Sequence, residues 1–271
     1  MSDNVTQEIP KEFLKEKPIF PTEVITLPSK GYFYPADNPL SSGQIEIKYP
    51  TAAEEDILTS RNLIQKRVVI DKFLQAIIVS PIDYNLLLMG DKNGIMVASR
   101  ILAYGKDYPF ELDCPSCGQK NQKEADLTKL EAKEIDFKSY TEGLNEFEFE
   151  LPISKKKVRF KLLAHTDLRQ IEEELAGIRR AFKSSAEPSS KEITTRLKHA
   201  IVSVDGEPNR QKINNFVDTL LSQDSIALRR EISKVTPDIN LVYDFNCDFC
   251  NFSDTIDLPM GVSFFWPSGR L

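Results

Sequence analysis

Cys114-Pro-Ser-Cys117 and Cys247-Asp-Phe-Cys250 contain all four cysteines of this 271-residue chain, and their arrangement decides how its middle and its end are read. Two thiolates separated by two residues can face one ion from a single tight turn. Two such turns complete the tetrahedral four-sulfur shell that zinc prefers, so Cys114, Cys117, Cys247 and Cys250 are the predicted ligands of one structural zinc ion. Gly118 follows the first pair and lets the backbone bend so that its amides approach the sulfurs.

The two pairs lie well over a hundred residues apart, far more than in a compact zinc ribbon. Closing a loop of that length costs on the order of 4 kcal/mol, whereas a structural zinc site supplies roughly 10–16 kcal/mol. The ion can therefore hold distant parts of the chain together. Each pair also sits between strand-like segments, Tyr108 to Asp113 and Gln122 to Leu127 for the first, Leu241 to Asn246 and Phe252 to Leu258 for the second. The units read alike: an aromatic residue four positions before the first cysteine (Phe110, Tyr243), an apolar one two before (Leu112, Phe245), and Asp-Leu closing the second strand (Asp126-Leu127, Asp257-Leu258). Two hairpins meeting at their tips around one metal are expected.

A thioredoxin-like redox motif, a disulfide and plain buried cysteines compete with this reading. A redox pair needs a helix N-terminus to lower its thiol pKa, and strand-like sequence follows both pairs. No secretory signal points to an oxidising compartment, and a four-thiolate shell leaves no open position for catalytic water.

At 41% hydrophobic residues the chain can bury a sizeable core, as one large domain or two smaller ones. Its formal charge of −6 argues against a general phosphate-binding surface. The basic run Lys155-Lys156-Lys157 with Arg159 reads as a solvated hairpin turn between Phe147–Leu151 and Val158–Leu163. No apolar run reaches the roughly 20 residues that span a bilayer, and the polar start, punctuated by Pro10, Pro18 and Pro21, resembles neither a signal peptide nor an anchor. A soluble chain made inside a cell is expected.

The predicted organisation is α+β: an N-terminal helical part and a zinc-stapled, zinc-ribbon-like β-hairpin unit, with a helical insertion between the two cysteine pairs. An extended arm covers 1–21. Short strands (Val24 to Leu27, Gln44 to Lys48) and helices cover 22–106, with a Thr51/Glu54 capping box and apolar stripes at Ile70, Phe73, Leu74, Ile77, Ile78 and at Ile95, Ala98, Ile101, Leu102. Gly90 and Gly94 read as a turn between helices. The first knuckle and a hairpin cover 107–165. The insertion, 166–236, opens with an Asp167/Gln170 capping box. It contains a polar loop from Lys183 to Glu192, then helices carrying Ile193, Leu197, Ala200, Ile201 and Val204, then Ile213 to Leu220, then Ile226 to Val235. The second knuckle and a tail containing Phe264, Phe265 and Trp266 cover 237–271. That tail is either core packing on the zinc unit or a partner-binding surface.

Nothing assigns catalysis. His165 and His199 stand in no metalloprotease or nucleophile-elbow spacing and read as surface or helix-end residues. Leu27-Pro-Ser-Lys-Gly31 lacks the leading glycine and residue order of a phosphate loop, and Glu172 to Glu174 read as a solvated helix face.

The run Ile25-Thr-Leu-Pro-Ser-Lys-Gly-Tyr-Phe-Tyr-Pro35, with Ile45-Glu-Ile47 and Pro50-Thr-Ala-Ala-Glu-Glu-Asp-Ile-Leu58, resembles the opening of the T-even-type phage baseplate hub and tail-assembly family. Asp83 to Leu88, Arg100-Ile-Leu-Ala-Tyr-Gly105 and Tyr108 to Gly118 are similar to that family's middle section. The resemblance implies a structural part of a contractile tail's baseplate, near the central hub, that binds other baseplate and hub proteins and is not an enzyme. It implies a virion location, with the host cytoplasm as the site of assembly. An assembly chaperone absent from the mature particle is the alternative, and a zinc-ribbon nucleic-acid adaptor is a second one from another class. No membrane is expected as a partner, and the acidic charge counts against nucleic acid.

Overall fold

Thr22–Thr26 (β1) runs through a turn-rich connection and returns as Gln44–Lys48 (β2), pairing with it antiparallel from Thr22↔Lys48 to Thr26↔Gln44. This is a computed structural model that describes residues 20–181, 191–260 and 262–265. Nearly all of the predicted arm, most of the predicted Lys183–Glu192 loop and Trp266 lie outside those residues. Alternation along β2 buries Ile45 and Ile47 on one face.

Four helices follow: Ala52–Thr59 (α1), Arg61–Gln65 (α2), Val69–Ile77 (α3) and Met89–Tyr104 (α4). Glu54 organises the start of α1, its carboxylate accepting the Thr51 amide at 2.9 Å, the Thr51 hydroxyl at 2.7 Å and the Lys48 ammonium at 2.8 Å. Val69, Phe73, Leu74 and Ile77 give α3 a fully buried stripe. Gly90 and Gly94 lie inside the first turns of α4, not between helices as the sequence predicts. The cause is close packing: a Cβ on Gly90 would lie 1.7 Å from the Pro237 carbonyl oxygen, and one on Gly94 would lie 2.7 Å from the Pro28 ring.

A buried polar network seats α4 on the Ser29 turn. Asp91 accepts the Ser29 amide at 2.8 Å, the Ser29 hydroxyl at 2.7 Å and the Tyr34 hydroxyl at 2.6 Å, and Tyr34 Oη accepts the Leu88 amide at 2.9 Å. Burial raises the pKa of Asp91, opposed by these bonds.

The rest of the chain supplies Asp107–Asp113 (β3), Lys120–Asp126 (β4), Phe147–Glu150 (β5), Lys157–Phe160 (β6), His165–Ala181 (α5), Glu192–Ala200 (α6), Ile201–Val204 (β7), Arg210–Asp218 (α7), Ser222–Val235 (α8), Val242–Asn246 (β8) and Ser253–Asp257 (β9). β3–β4 and β8–β9 are separate hairpins, and β5, β6 and β7 form an antiparallel three-stranded sheet. The α+β class is as predicted. Ile201 to Val204, predicted as helix, is the third strand, because its β-branched Ile-Val-Ser-Val run pairs with β6 as soon as α6 ends. The lysine run is a solvated hairpin turn as read: Lys155 takes a positive φ of 57° and Asp224 accepts the amides of Ile153 and Ser154 at 2.8 and 3.0 Å.

α5 begins earlier than predicted, at His165, because Asp167 reaches back to the Ala164 amide at 3.0 Å rather than pairing with Gln170. His165 is therefore the first residue of α5, and it is buried rather than on the surface. Its ring meets Tyr84 edge-on at 4.6 Å, and Nδ1 lies 3.8 Å from Asp71 without a hydrogen-bond partner among the described residues.

Buried apolar side chains from Leu27 to Phe265 form one contiguous core. In the tail, Phe264 packs edge-on against Tyr108 at 4.9 Å and Phe265 lies tilted against Phe73 at 4.9 Å, so these two rings are core packing. Arg100, almost fully buried, donates to the carbonyls of Phe264 (2.9 Å), Gly105 (3.2 Å) and Asp107 (3.4 Å) and lies over the rings of Tyr104 and Tyr108. α4, β3 and the tail thus meet on one guanidinium.

Two expectations follow from this packing. Gly90→Ala drives a methyl group into backbone and is expected to lower unfolding free energy by at least ~3 kcal/mol in urea titration. Gly177→Ala, with nothing within 4 Å of the added Cβ on α5, is expected to raise it by ~0.5–1 kcal/mol. For His165, burial lowers the pKa and Asp71 opposes that. Above pH ~6.5 the ring is neutral in both states and adds nothing; below it the unfolded chain takes up a proton that the folded chain resists, so stability falls with pH. Thermal melts at pH ~7.5 and ~5.5 are expected to show a smaller drop for His165→Gln than for the parent chain.

Candidate metal centre

The two cysteine pairs occupy the tips of the β3–β4 and β8–β9 hairpins, and the tips are built alike. Asp113↔Lys120 and Asn246↔Ser253 are the last paired residues of each ladder. Beyond them the Cys114 amide donates to the Gln119 carbonyl at 2.9 Å and the Cys247 amide to the Phe252 carbonyl at 3.0 Å, the same closure in both turns. Gly118 adopts φ +70°, the left-handed backbone that completes the first turn, and its amide donates to the Cys114 carbonyl at 2.9 Å.

All four sulfurs lie within 4.8 Å of one another. Cys114 Sγ is 3.8 Å from Cys250 Sγ, and Cys117 Sγ is 3.7 Å from Cys247 Sγ. A tetrahedral site with metal–sulfur bonds of about 2.3 Å places its sulfurs about 3.8 Å apart, and a disulfide requires about 2.05 Å. Both of these pairings run across the hairpins, one cysteine from each tip. The residues present fit a four-thiolate metal shell, and the predicted set is brought together complete.

The thiols of the cluster differ in acidity. Burial raises the Cys247 thiol pKa, but the amides of Phe249 and Cys250 and the neighbouring sulfurs outweigh it and bring it down to about 6. Cys117 moves oppositely: the Gln119 amide lowers its pKa, while desolvation and the other three thiols push it up to about 12. The thiols hydrogen-bond to one another, so one sulfur ionises readily while its neighbour holds its proton; a bound cation would let several thiolates coexist.

The paired flanking residues also meet. Phe110 and Tyr243 pack edge-on at 5.1 Å, Phe245 is fully buried, and Leu127 and Leu258 are both in the core. Asn121, absent from the sequence-level site, is the residue that joins the tips. It is fully buried; its amide nitrogen donates to the Gln119 carbonyl at 2.9 Å and faces Cys247 Sγ at 3.7 Å, while its oxygen accepts the Asp248 amide at 2.8 Å. Lys123 adds an ion pair with Asp248 and lies over the Phe245 ring at 5.7 Å. The one available signal was a polar residue in a strand, directly opposite apolar Leu112. Neither histidine joins this site; His199 pairs with Glu174 at 3.2 Å on α6 and α5.

A second closure lies at the base of the excursion between the knuckles. The Lys133 amide donates to the Asp238 carbonyl and the Asn240 amide to the Glu131 carbonyl, both at 2.8 Å. The outgoing and returning strands of chain therefore run side by side, and Asn93 on α4 holds Asp238 at 2.9 Å.

A protein-family model described as T4 bacteriophage base plate protein matches residues 22–266, from the first residue of β1 through both knuckles and into the tail. The chain belongs to that family. Membership makes it a phage baseplate protein with a structural role, located in the virion tail among other baseplate proteins. No curated protein and no solved structure matches it.

Asn121→Ala leaves the Asp248 amide without its partner and takes from the Gln119 carbonyl the second of its two donors, the Cys114 amide remaining. Urea titration is expected to show a loss of about 1–3 kcal/mol, with Asn121→Asp losing the donor side alone.

Proposed function

We propose that this chain is a structural baseplate subunit near the central hub, kept in shape by one zinc ion on Cys114, Cys117, Cys247 and Cys250. It acts by protein–protein contact and not by catalysis. The observation that carries the metal reading is the spacing of four sulfurs from two distant hairpins at the separation of a tetrahedral thiolate shell. When bound, zinc neutralises the thiolates and crosslinks the tips. The chain's own residues do the rest: Phe249 donates its amide to Cys247 Sγ at 3.4 Å, Asn121 fixes one tip against the other, and the aromatic pair behind them excludes water from the hairpin interface. A closed four-thiolate shell supplies rigidity, which suits a part that docks into a larger assembly.

Two measurements test this. Metal analysis of the purified chain is expected to give one zinc per chain, falling below about a tenth in Cys114→Ser and in Cys247→Ser, both with lowered melting temperatures. Unchanged metal content after either replacement defeats the shared site. Quantitative mass spectrometry of purified particles is expected to find the chain at fixed ratio to other baseplate proteins; enrichment in tail-assembly intermediates with loss from particles would instead identify an assembly factor.

A further inference from the structure

β1 is an open edge. Its one strand partner among the described residues is β2, whose other side is met by Ile78 and by the Val79 amide at 2.9 Å, so the sheet ends at β1. The backbone groups that face β2 are fixed by the flanking bonds. Leu27 donates to Gly43 at 2.8 Å and Tyr49 donates to Pro21 at 3.0 Å, which puts Pro21, Glu23, Ile25 and Leu27 on the paired side. Alternate residues of an antiparallel ladder face the other way, so Thr22, Val24 and Thr26 direct their N–H and C=O groups outward.

Thr22-Glu-Val-Ile-Thr26 contains no proline, no lysine and no bulge, and Glu23 is its one charge. Val24 is 58% exposed at its centre, on the solvent face of the sheet. The residues whose backbone faces outward are symmetric about Val24, with threonine two residues to either side.

We infer that β1 pairs antiparallel with β1 of a second copy of this chain, on a two-fold axis through Val24. In that register Val24 meets its own counterpart and Thr22 meets Thr26. These are the residues whose backbone groups point outward, so every such donor and acceptor is satisfied by its symmetry mate. Thr–Thr and Val–Val are favourable cross-strand neighbours. Glu23, the one charge of the strand, faces Ile25 of the second copy and not another carboxylate. A strand of a different protein would satisfy the same backbone groups. The self-complementary register is what favours a second copy, and a two-fold interface is the commonest way identical chains close.

The test is sedimentation of the full metal-loaded chain over a concentration series at ~0.15 M salt. The parent chain is expected to sediment as a dimer. Val24→Lys keeps β1 on β2, since position 24 lies opposite Glu46, but sets two ammonium groups against each other on the axis. It is expected to raise the dissociation constant at least ~10-fold. Val24→Pro removes one outward amide without touching the β1–β2 ladder and is expected to do the same. Val242→Lys, at a similarly exposed strand position far along the chain, is expected to leave the dimer intact. Circular dichroism and melting temperature identify any variant that fails to fold, and the other variant then decides. A monomer across the series overturns the inference, as does a dimer that persists in a folded Val24 variant.

Discussion

The fold depends on bringing two hairpin tips, separated by well over a hundred residues, to within one metal ion's reach. Four sulfurs within 4.8 Å fix where β3–β4 and β8–β9 sit, and therefore where the intervening chain must leave and return. That closure is made twice. The sulfurs meet at the tips, and at the base the backbone of Glu131 and Lys133 bonds to that of Asp238 and Asn240. Between these two points the β5–β6–β7 sheet and helices α5 to α8 form an excursion whose ends are anchored side by side.

The N-terminal helices are locked to the same frame by contacts of opposite character. Gly90 brings α4 against Pro237, at the return of the excursion, with no room for a side chain. One end of α4 is held by the buried Asp91 carboxylate and its three donors, and the other by Arg100, whose charge meets three carbonyls and two aromatic rings. Burial lowers the Arg100 pKa, with Tyr104 and Tyr108 opposing. Burying such groups is costly unless they are hydrogen-bonded, and here each ties separate segments together. The tail enters this arrangement through Phe264 and Phe265, which bridge the first cysteine-bearing hairpin and α3.

Local chemistry was legible in the sequence. The cysteine spacing, the matching Phe110 and Tyr243, and the Thr51/Glu54 pair each encode their structure within a few residues, and they appear where predicted. What escaped was decided by distant partners. β7 carries residues that suit a helical stripe as well as a strand, and β6, about forty residues upstream, settles the matter. Gly90 and Gly94 look like a turn until Pro237 and Pro28 are placed against them. Asn121, the residue that joins the knuckles, gave only the faint signal of a polar side chain opposite Leu112, because its partners Asp248 and Cys247 come from the other hairpin. His165 stands at a helix end as read, and its burial escaped for the same reason, its neighbours Tyr84 and Asp71 lying far back in the chain.

Zinc-edge X-ray absorption on the intact purified chain tests the central claim most directly, because it reports the number and type of ligands independently of any substitution. Four sulfur ligands at about 2.3 Å, with no nitrogen or oxygen shell, are the predicted result. A mixed shell, or a chain whose sulfurs carry no metal, would contradict the claim that one ion joins the two hairpins.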